Sequence, residues 1–156
     1  MIFVVFGNVP IPFLRLAKKI DEIACNLSEE VIVQNGYTEY AFKNVISRDF
    51  FSSNEMSEMI DKASLIISHG GYGTISECIK KGKKIIAVPR LQGEHNHSQE
   101  ELVRALDNEG YLVGVYDINE LGEKIQFIND FVPKTLKRGN ASKVINEYIL
   151  SIIKDK

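Results

Sequence analysis

The chain has little that would suit it to nucleic acid, a membrane interior, a disulfide framework or a metal ion. Over 156 residues the formal net charge is −2, so there is no basic field to meet a phosphate backbone, and a nucleic-acid partner is not expected. The two cysteines, Cys25 and Cys78, fall in helix-like patterns without the spacing of a metal site or a disulfide framework. They read as buried thiols in a reducing cytoplasm. No apolar run approaches the length of a membrane span, and the apolar start MIFVVF carries neither a positive leader nor a cleavage site, so the expected chain is soluble and cytoplasmic. His95 and His97 stand two apart in a loop with no carboxylate pair in a recognisable arrangement, which argues against a metal site. The one Gly-Lys dipeptide, Gly82-Lys83, is followed by Lys84 and not by Ser or Thr, so a Walker loop is absent. The loop after the first apolar run, Gly7 to Pro12, lacks the glycines of a dinucleotide fingerprint. No cofactor is expected.

What the chain does have is the segment Leu65 to Glu77, LIISHGGYGTISE. It joins an apolar strand, a glycine-rich turn and a helix start, which is the layout of a phosphate-binding site. Gly70, Gly71 and Gly73 permit a tight turn after His69 and let backbone approach a ligand where a Cβ would clash. Thr74 is expected to open the helix, whose first turn offers unpaired N–H groups and about half a positive charge. An anion is bound there without any lysine. The competing reading is a plain strand-to-helix turn in which Thr74 and Glu77 form a capping box.

Along the rest of the chain strands alternate with helices, with no internal repeat or low-complexity linker. Strands are predicted over Ile2 to Phe6, Val31 to Val33, Val45 to Phe50, Leu65 to Ser68, Lys84 to Val88 and Tyr111 to Val115. Phe13 to Asn26 has helical spacing in Leu14, Ala17, Ile20, Ile23, Ala24 and Leu27. A second helix starts at a capping box of Ser52 and Glu55 and carries Met56, Met59, Ile60 and Ala63. Further helices are expected over Thr74 to Lys81, closed by Gly82; after Ser98 and Glu101, with Leu102, Ala105 and Leu106 inside; over Asp117 to Asn129; and over Asn140 to Ile153. At 156 residues this is one α/β domain with a Rossmann-like parallel sheet covered by helices on both faces. Ligands of such sheets sit at the carboxyl ends of strands where the strand order reverses. In a 3-2-1-4-5-6 order, the loops beginning at Gly7 and His69 face each other across the ligand.

SHGGYGT followed by Glu77, then Val88-Pro89-Arg90 and Gly93-Glu94-His95, together with MIFVVFGNVPIPFLRL and DFFSSNEM, resembles the C-terminal, donor-binding half of a GT-B glycosyltransferase of family 28. The resemblance covers nearly the whole chain and is strongest to the small Rossmann-type subunits of two-part transferases, including the cytosolic subunit of the eukaryotic enzyme that adds the second GlcNAc to dolichol-linked sugar and the bacterial exopolysaccharide glycosyltransferase pairs. It implies that the glycine loop and the following helix hold the diphosphate of a UDP-sugar while Glu77 takes the ribose hydroxyls. A carboxylate is a natural acceptor for two neighbouring hydroxyls. It places Gln99 on the donor sugar, with His95 and Asn96 as sugar or phosphate candidates or else parts of a solvated loop. His97 and Ser98 replace the Asp-His pair usual before that glutamine. Gly7 and Asn8 stand where the family shows Gly-Thr-His, leaving backbone contact with the donor phosphate. Phe51 stands where backbone groups hold the uracil, its side chain reading more readily as an ordinary core aromatic. Arg90 reads either as a phosphate partner or as a surface residue.

The implied reaction is inverting transfer from a UDP-sugar to a lipid-linked saccharide acceptor. GT-B enzymes use two such domains, and no general base is evident here, so the resemblance implies a membrane-associated partner subunit that carries the acceptor. The stripe Ala141, Val144, Ile145, Tyr148, Ile149, Ile152 and Ile153 packs on the domain's own sheet in the simplest reading, its far end reaching that partner. Lys80, Lys81, Lys83 and Lys84 read as a solvated helix end, or more weakly as a patch for anionic lipid. Two other functions stay open: a donor-binding or regulatory subunit that enhances a partner's transferase, and a nucleotide-sugar epimerase, whose mechanism also needs two domains.

Overall fold

The computed structural model of the chain describes residues 1–91 and 99–135. The predicted C-terminal helix with its apolar stripe, and the site candidates His95 and Asn96, lie outside them. Six strands form one parallel sheet: β1 (Ile2–Val5), β2 (Val31–Gln34), β3 (Ile46–Arg48), β4 (Leu65–Ser68), β5 (Ile85–Ala87) and β6 (Val113–Gly114). Their order is β3-β2-β1-β4-β5-β6, the predicted one. The crossovers are α1 (Leu14–Ala24), α2 (Ser53–Lys62), α3 (Tyr72–Lys80) and α4 (Glu100–Asn108), with α5 (Leu121–Phe127) following β6 after a single 3₁₀ turn.

Because side chains alternate across a strand, a continuous apolar run such as β1 feeds both faces of the sheet. Ile2, Val4 and Phe6 pack with Leu16, Ala17 and Ile20 of α1 and with Leu121 and Ile125 of α5. Phe3 and Val5 pack with Ile60 of α2, Ile75 and Cys78 of α3 and Val103 of α4. Double burial explains why β1 and β4 contain no polar residue before Ser68.

Several details differ from the sequence reading. Strand β3 is shorter than Val45 to Phe50 because the Asp49 carbonyl is taken by Gly36 N–H at 2.9 Å and by Gln34, which turns the chain out of the ladder. Asp117 closes the 3₁₀ turn by accepting from Asn119 N–H, so α5 begins later than Asp117. Helix α4 begins at Glu100 with Gln99 at its N-cap and no capping bond from the Gln99 side chain, while Ser98, the expected cap, lies outside the described residues. Leu14 is 43% exposed while Leu16 takes the inner position. Cys25, at the end of α1, is exposed; Cys78 alone is the buried thiol, and burial pushes its pKa up to about 12. Lys81, Lys83 and Lys84 are not a solvated patch. Lys83 donates to the Asp61 and Ala63 carbonyls and Lys84 to those of Ile128 and Asn129, while Lys81 is tied to α2.

Candidate functional site

The chain runs β1-β2-β3 to one side of the sheet and β4-β5-β6 to the other, so the strand order reverses between β1 and β4. At their carboxyl ends lies a cleft of about 460 Å³, lined among others by Gly7, Asn8, Phe51, His69, Gly71, Gly73, Thr74 and Glu77. A cleft of this size falls within the range of small-ligand sites. The geometry thus brings together loop residues from three separate parts of the sequence.

The first wall is made by two turns that pass through positive φ, at Gly7 (φ 84°) and Gly70 (φ 86°), a region closed to most side chains. Between them sits His69, buried, with its ring against both loops. A Cβ on Gly7 would lie 2.5 Å from His69 Cε1, and one on Gly71 would collide with Nε2. These glycines are therefore required by the imidazole before any ligand is considered. His69 Nδ1 lies 3.2 Å from the Val5 carbonyl. A carbonyl only accepts, so Nδ1 carries a proton, and Nε2 faces Gly71. Gly73 differs: among the described residues a Cβ there would meet no atom within 4 Å. None of them requires its lack of a side chain, and Gly73 lines the cleft.

The second wall is the start of α3. Gly71, extended at φ −72° and ψ 130°, is the N-cap and supplies no side chain, so the helix opens at Tyr72 and not at Thr74. Its first ladder bond runs from Ile75 N–H to Gly71 O at 3.2 Å. The N–H groups of Tyr72, Gly73 and Thr74 precede that bond and give the helix terminus its positive end. The Thr74–Glu77 capping box does not form, because Thr74 is already inside the helix. Glu77 instead lines the cleft and pairs with Lys81 at 3.2 Å.

Four lining residues were not read from the sequence: Val5, Gln34, Ser53 and Met56. Gln34 holds the Gly7 turn. Its Nε2 donates to the Gly7 carbonyl at 3.3 Å and to that of Asp49 at 3.0 Å, while its Oε1 accepts from Gly7 N–H at 3.2 Å. The available signal was a polar residue ending the apolar strand VIVQ on the ligand side of the sheet. Ser53 and Met56 come from the first turn of α2. The Phe51 ring packs edge-on against Phe3 at 5.7 Å and under the Arg48 guanidinium at 4.9 Å, so it serves as core and cleft wall together.

Arg90 is not a surface residue. It is 1% exposed and not among the cleft-lining residues; its guanidinium lies 4.4 Å from the Phe13 ring centroid and donates to the carbonyls of Phe6 at 3.1 Å and Pro12 at 3.2 Å. It braces the loop from Gly7 to Pro12 from beneath. Gly70 packs against Val103 and Gln99 behind the cleft. Gln99 is half-buried, and its Oε1 is enclosed without a hydrogen-bond partner among the described residues.

Among proteins of known function, this chain is 41% identical over 59 residues to the human UDP-N-acetylglucosamine transferase subunit ALG13, a match covering 38% of this chain and 5% of that protein. It is 31% identical over 110 residues to the UDP-N-acetylglucosamine--N-acetylmuramyl-(pentapeptide) pyrophosphoryl-undecaprenol N-acetylglucosamine transferase of Desulforamulus reducens, covering 70% of this chain and 29% of the relative. The chain therefore spans less than a third of the length of either relative. Among solved structures, the NMR structure of ALG13 superposes with a TM-score of 0.66 at 18% identity, covering 92% of this chain and 93% of that one. The glycosyltransferase SsfS6 from Streptomyces sp. SF2575, complexed with thymidine diphosphate, superposes at 0.58 with 20% identity, covering 99% of this chain and 41% of that one. A putative UDP-N-acetylglucosamine 2-epimerase from Listeria monocytogenes shares the fold at 0.61 and 11% identity, covering 99% of this chain and 45% of that one. The architecture is that of a Rossmann-like half of a GT-B enzyme. Residues 1–152 match the glycosyltransferase family 28 C-terminal domain, and the chain belongs to that family.

Proposed function

We propose that this chain is the donor-binding half of an inverting hexosyltransferase that takes a UDP-sugar in the β1–β4 cleft and acts on a lipid-linked saccharide in glycan or polysaccharide synthesis. A membrane-associated partner subunit supplies the acceptor surface and holds this chain peripherally at the cytoplasmic side. The observation that carries the reading is the meeting, in one cleft, of an α3 terminus without a side-chain cap, the open space before Gly73 and the Glu77 carboxylate. The terminus suits a diphosphate. Glu77 suits a vicinal diol, each charge-assisted hydrogen bond contributing about 1.5–3 kcal/mol.

In the proposed reaction an acceptor hydroxyl oxygen forms a bond to the anomeric carbon as the bond from that carbon to the UDP oxygen breaks, inverting the centre. Negative charge collects on the departing diphosphate. The N–H groups of Tyr72, Gly73 and Thr74 are fixed before the reaction and stabilise that charge without reorganising. The acceptor proton needs a base. Among the described cleft residues the side chains able to act are His69, locked against Val5, and Glu77, assigned to ribose, so the base is assigned to the partner half. Asn8, in place of the usual threonine, and the His97-Ser98 pair favour one second reading: a subunit that binds donor and enhances a partner's transferase without catalytic groups of its own.

The test is to assay the chain alone, the partner alone and the two together against a panel of UDP-sugars. The half-enzyme reading expects donor binding by the chain alone, negligible transfer alone and turnover on mixing that survives EDTA, since helix-terminal donors replace a metal. Efficient transfer by the purified chain contradicts it. Full transfer by the partner alone, raised only in rate by this chain, selects the second reading.

A further inference from the structure

Glu77 does not stand alone in the cleft wall. One turn beyond Glu77, at the C-cap of α3, Lys81 brings its Nζ within 3.2 Å of Glu77 Oε1. An exposed i,i+4 pair of this kind contributes a few tenths of a kcal/mol, because both side chains must be ordered in water. Lys62 and Glu58 on α2 are such a pair, 3.5 Å apart with both side chains about two-thirds exposed. Lys81 differs in being 24% exposed and in what else it holds. Its ammonium donates to Ser57 Oγ at 2.7 Å and to the Ser57 carbonyl at 3.0 Å, and lies 2.9 Å from Asp61 Oδ1. Three N–H donors are thus divided between three α2 oxygens and one oxygen of Glu77. Burial works against the charge, and the hydrogen bonds with Asp61 and Glu77 outweigh it, so the pKa of Lys81 lies above the ordinary lysine value.

The consequence is mechanical as well as electrostatic. Helices α2 and α3 form facing parts of the cleft, through Ser53 and Met56 on one side and Thr74 and Glu77 on the other. Lys81 is where α3 is pinned to α2 directly behind them. A carboxylate has about four acceptor directions, of which Lys81 occupies one. The remainder are available to a ligand, and the rotamer that presents them is held by a cation anchored on another helix. Preorganisation of this kind raises affinity by removing the ordering cost of the recognising group.

We propose that Lys81 is a positioning residue for nucleotide recognition: anchored on α2 through Ser57 and Asp61, it fixes Glu77 in the orientation that receives the two ribose hydroxyls. This rests on the ribose role of Glu77 proposed above. Lys81 does not itself touch the nucleotide.

The test is calorimetric titration of the full chain with UDP and with 2′,3′-dideoxyuridine diphosphate, comparing wild type, Lys81→Met, Lys81→Arg, Glu77→Ala and the Lys81→Met/Glu77→Ala double variant. Ser52→Ala, which loosens the start of α2 without touching Lys81, serves as the stability control. Lys81→Met is expected to weaken UDP about three- to tenfold, the dideoxy analogue by less than about twofold, and UDP not at all further once Glu77 is already alanine. Lys81→Arg, which keeps the charge and several donors, is expected to restore most of the loss. Equal losses for both nucleotides, an additive loss in the double variant, or the same loss in Ser52→Ala at matched stability would reduce Lys81 to a packing role. If Glu77→Ala weakens UDP and Lys81→Met does not, this inference alone falls. If Glu77→Ala binds UDP normally, the ribose reading falls and takes this inference with it.

Discussion

Helices α2 and α3 pack on the same face of the sheet, and the sequence around each start contains the same four-residue pattern, Ser52 to Glu55 and Thr74 to Glu77. In α2 the pattern closes the helix. Ser52 Oγ accepts from Glu55 N–H at 3.3 Å and the Glu55 carboxylate accepts from Ser52 N–H at 2.7 Å. In α3 the chain turns helical three residues earlier in the pattern, behind an extended glycine, so the threonine lies inside the first turn and the glutamate faces the cleft. At one terminus a side chain takes a first-turn donor, and at the other no side chain does and the first turn lines the cleft. The same letters thus encode a cap or a binding surface according to where the helix begins, and Gly71 with His69 beneath it sets that point.

The largest expected effect comes from closing the α3 side of this contrast. Gly71→Ala would drive a Cβ into the His69 ring. Overpacking of this kind destabilises by about 1–3 kcal/mol, and displacing the turn should weaken UDP by more than about a hundredfold, equivalent to over 2.8 kcal/mol. Adding His69→Ala removes the clash and should recover most of the stability in thermal melts. No recovery would mean that the glycine answers to something other than the imidazole.

Gly73→Ala sharpens the comparison because fold and ligand should part company. Among the described residues the new Cβ meets no atom within 4 Å, and replacing a helical glycine gains about 0.5–1 kcal/mol. A higher melting temperature with UDP weakened about tenfold or more is the predicted pair, about 1.4 kcal/mol of binding at least. Retained affinity would show that no ligand occupies the space before Gly73.

On the α2 side, Ser52→Ala should lower stability by about 1 kcal/mol and leave nucleotide affinity alone. The smallest effect is in acid. Hydrogen bonds from the Ser52 backbone and side chain, and then from Arg48, lower the Glu55 pKa to about 2. Its folded value lies below its ordinary one, so the stabilisation is complete above about pH 4.5 and is lost as pH falls toward 2. Melting temperatures over that window should fall less steeply in Ser52→Ala than in wild type, and parallel slopes would contradict the cap's share in the shift.

Features written in local periodicity were legible in the sequence. The apolar runs of β1, β4 and β5, the Ser52 cap and the alternation of strands with helices led to a parallel sheet covered on both faces, and a 3-2-1-4-5-6 order for that sheet placed the cleft. What was missed depends on residues far apart in the chain. Arg90 looks like a surface cation until Phe13 and the Phe6 and Pro12 carbonyls enclose it from more than seventy positions away. Gln34 is an ordinary strand end until Gly7 and Asp49 arrive at its amide. Lysines 81, 83 and 84 look solvated in sequence because their acceptors lie on other elements, some of them main-chain carbonyls that no side-chain pattern announces. The start of α3 was misplaced by two residues because its cap is a glycine with no side chain to signal it.

The central claim is that the α3 cleft binds a uridine nucleotide through Glu77, and it is tested most directly by titrating UDP into wild type, Ser52→Ala and Glu77→Ala in one calorimetric series. The account predicts measurable binding by wild type, agreement of Ser52→Ala with it within about twofold, and a loss of about tenfold to a hundredfold in Glu77→Ala, corresponding to about 1.4–2.8 kcal/mol. Absence of UDP binding by the folded wild-type chain, or a folded Glu77→Ala chain that binds UDP as wild type does, would contradict it.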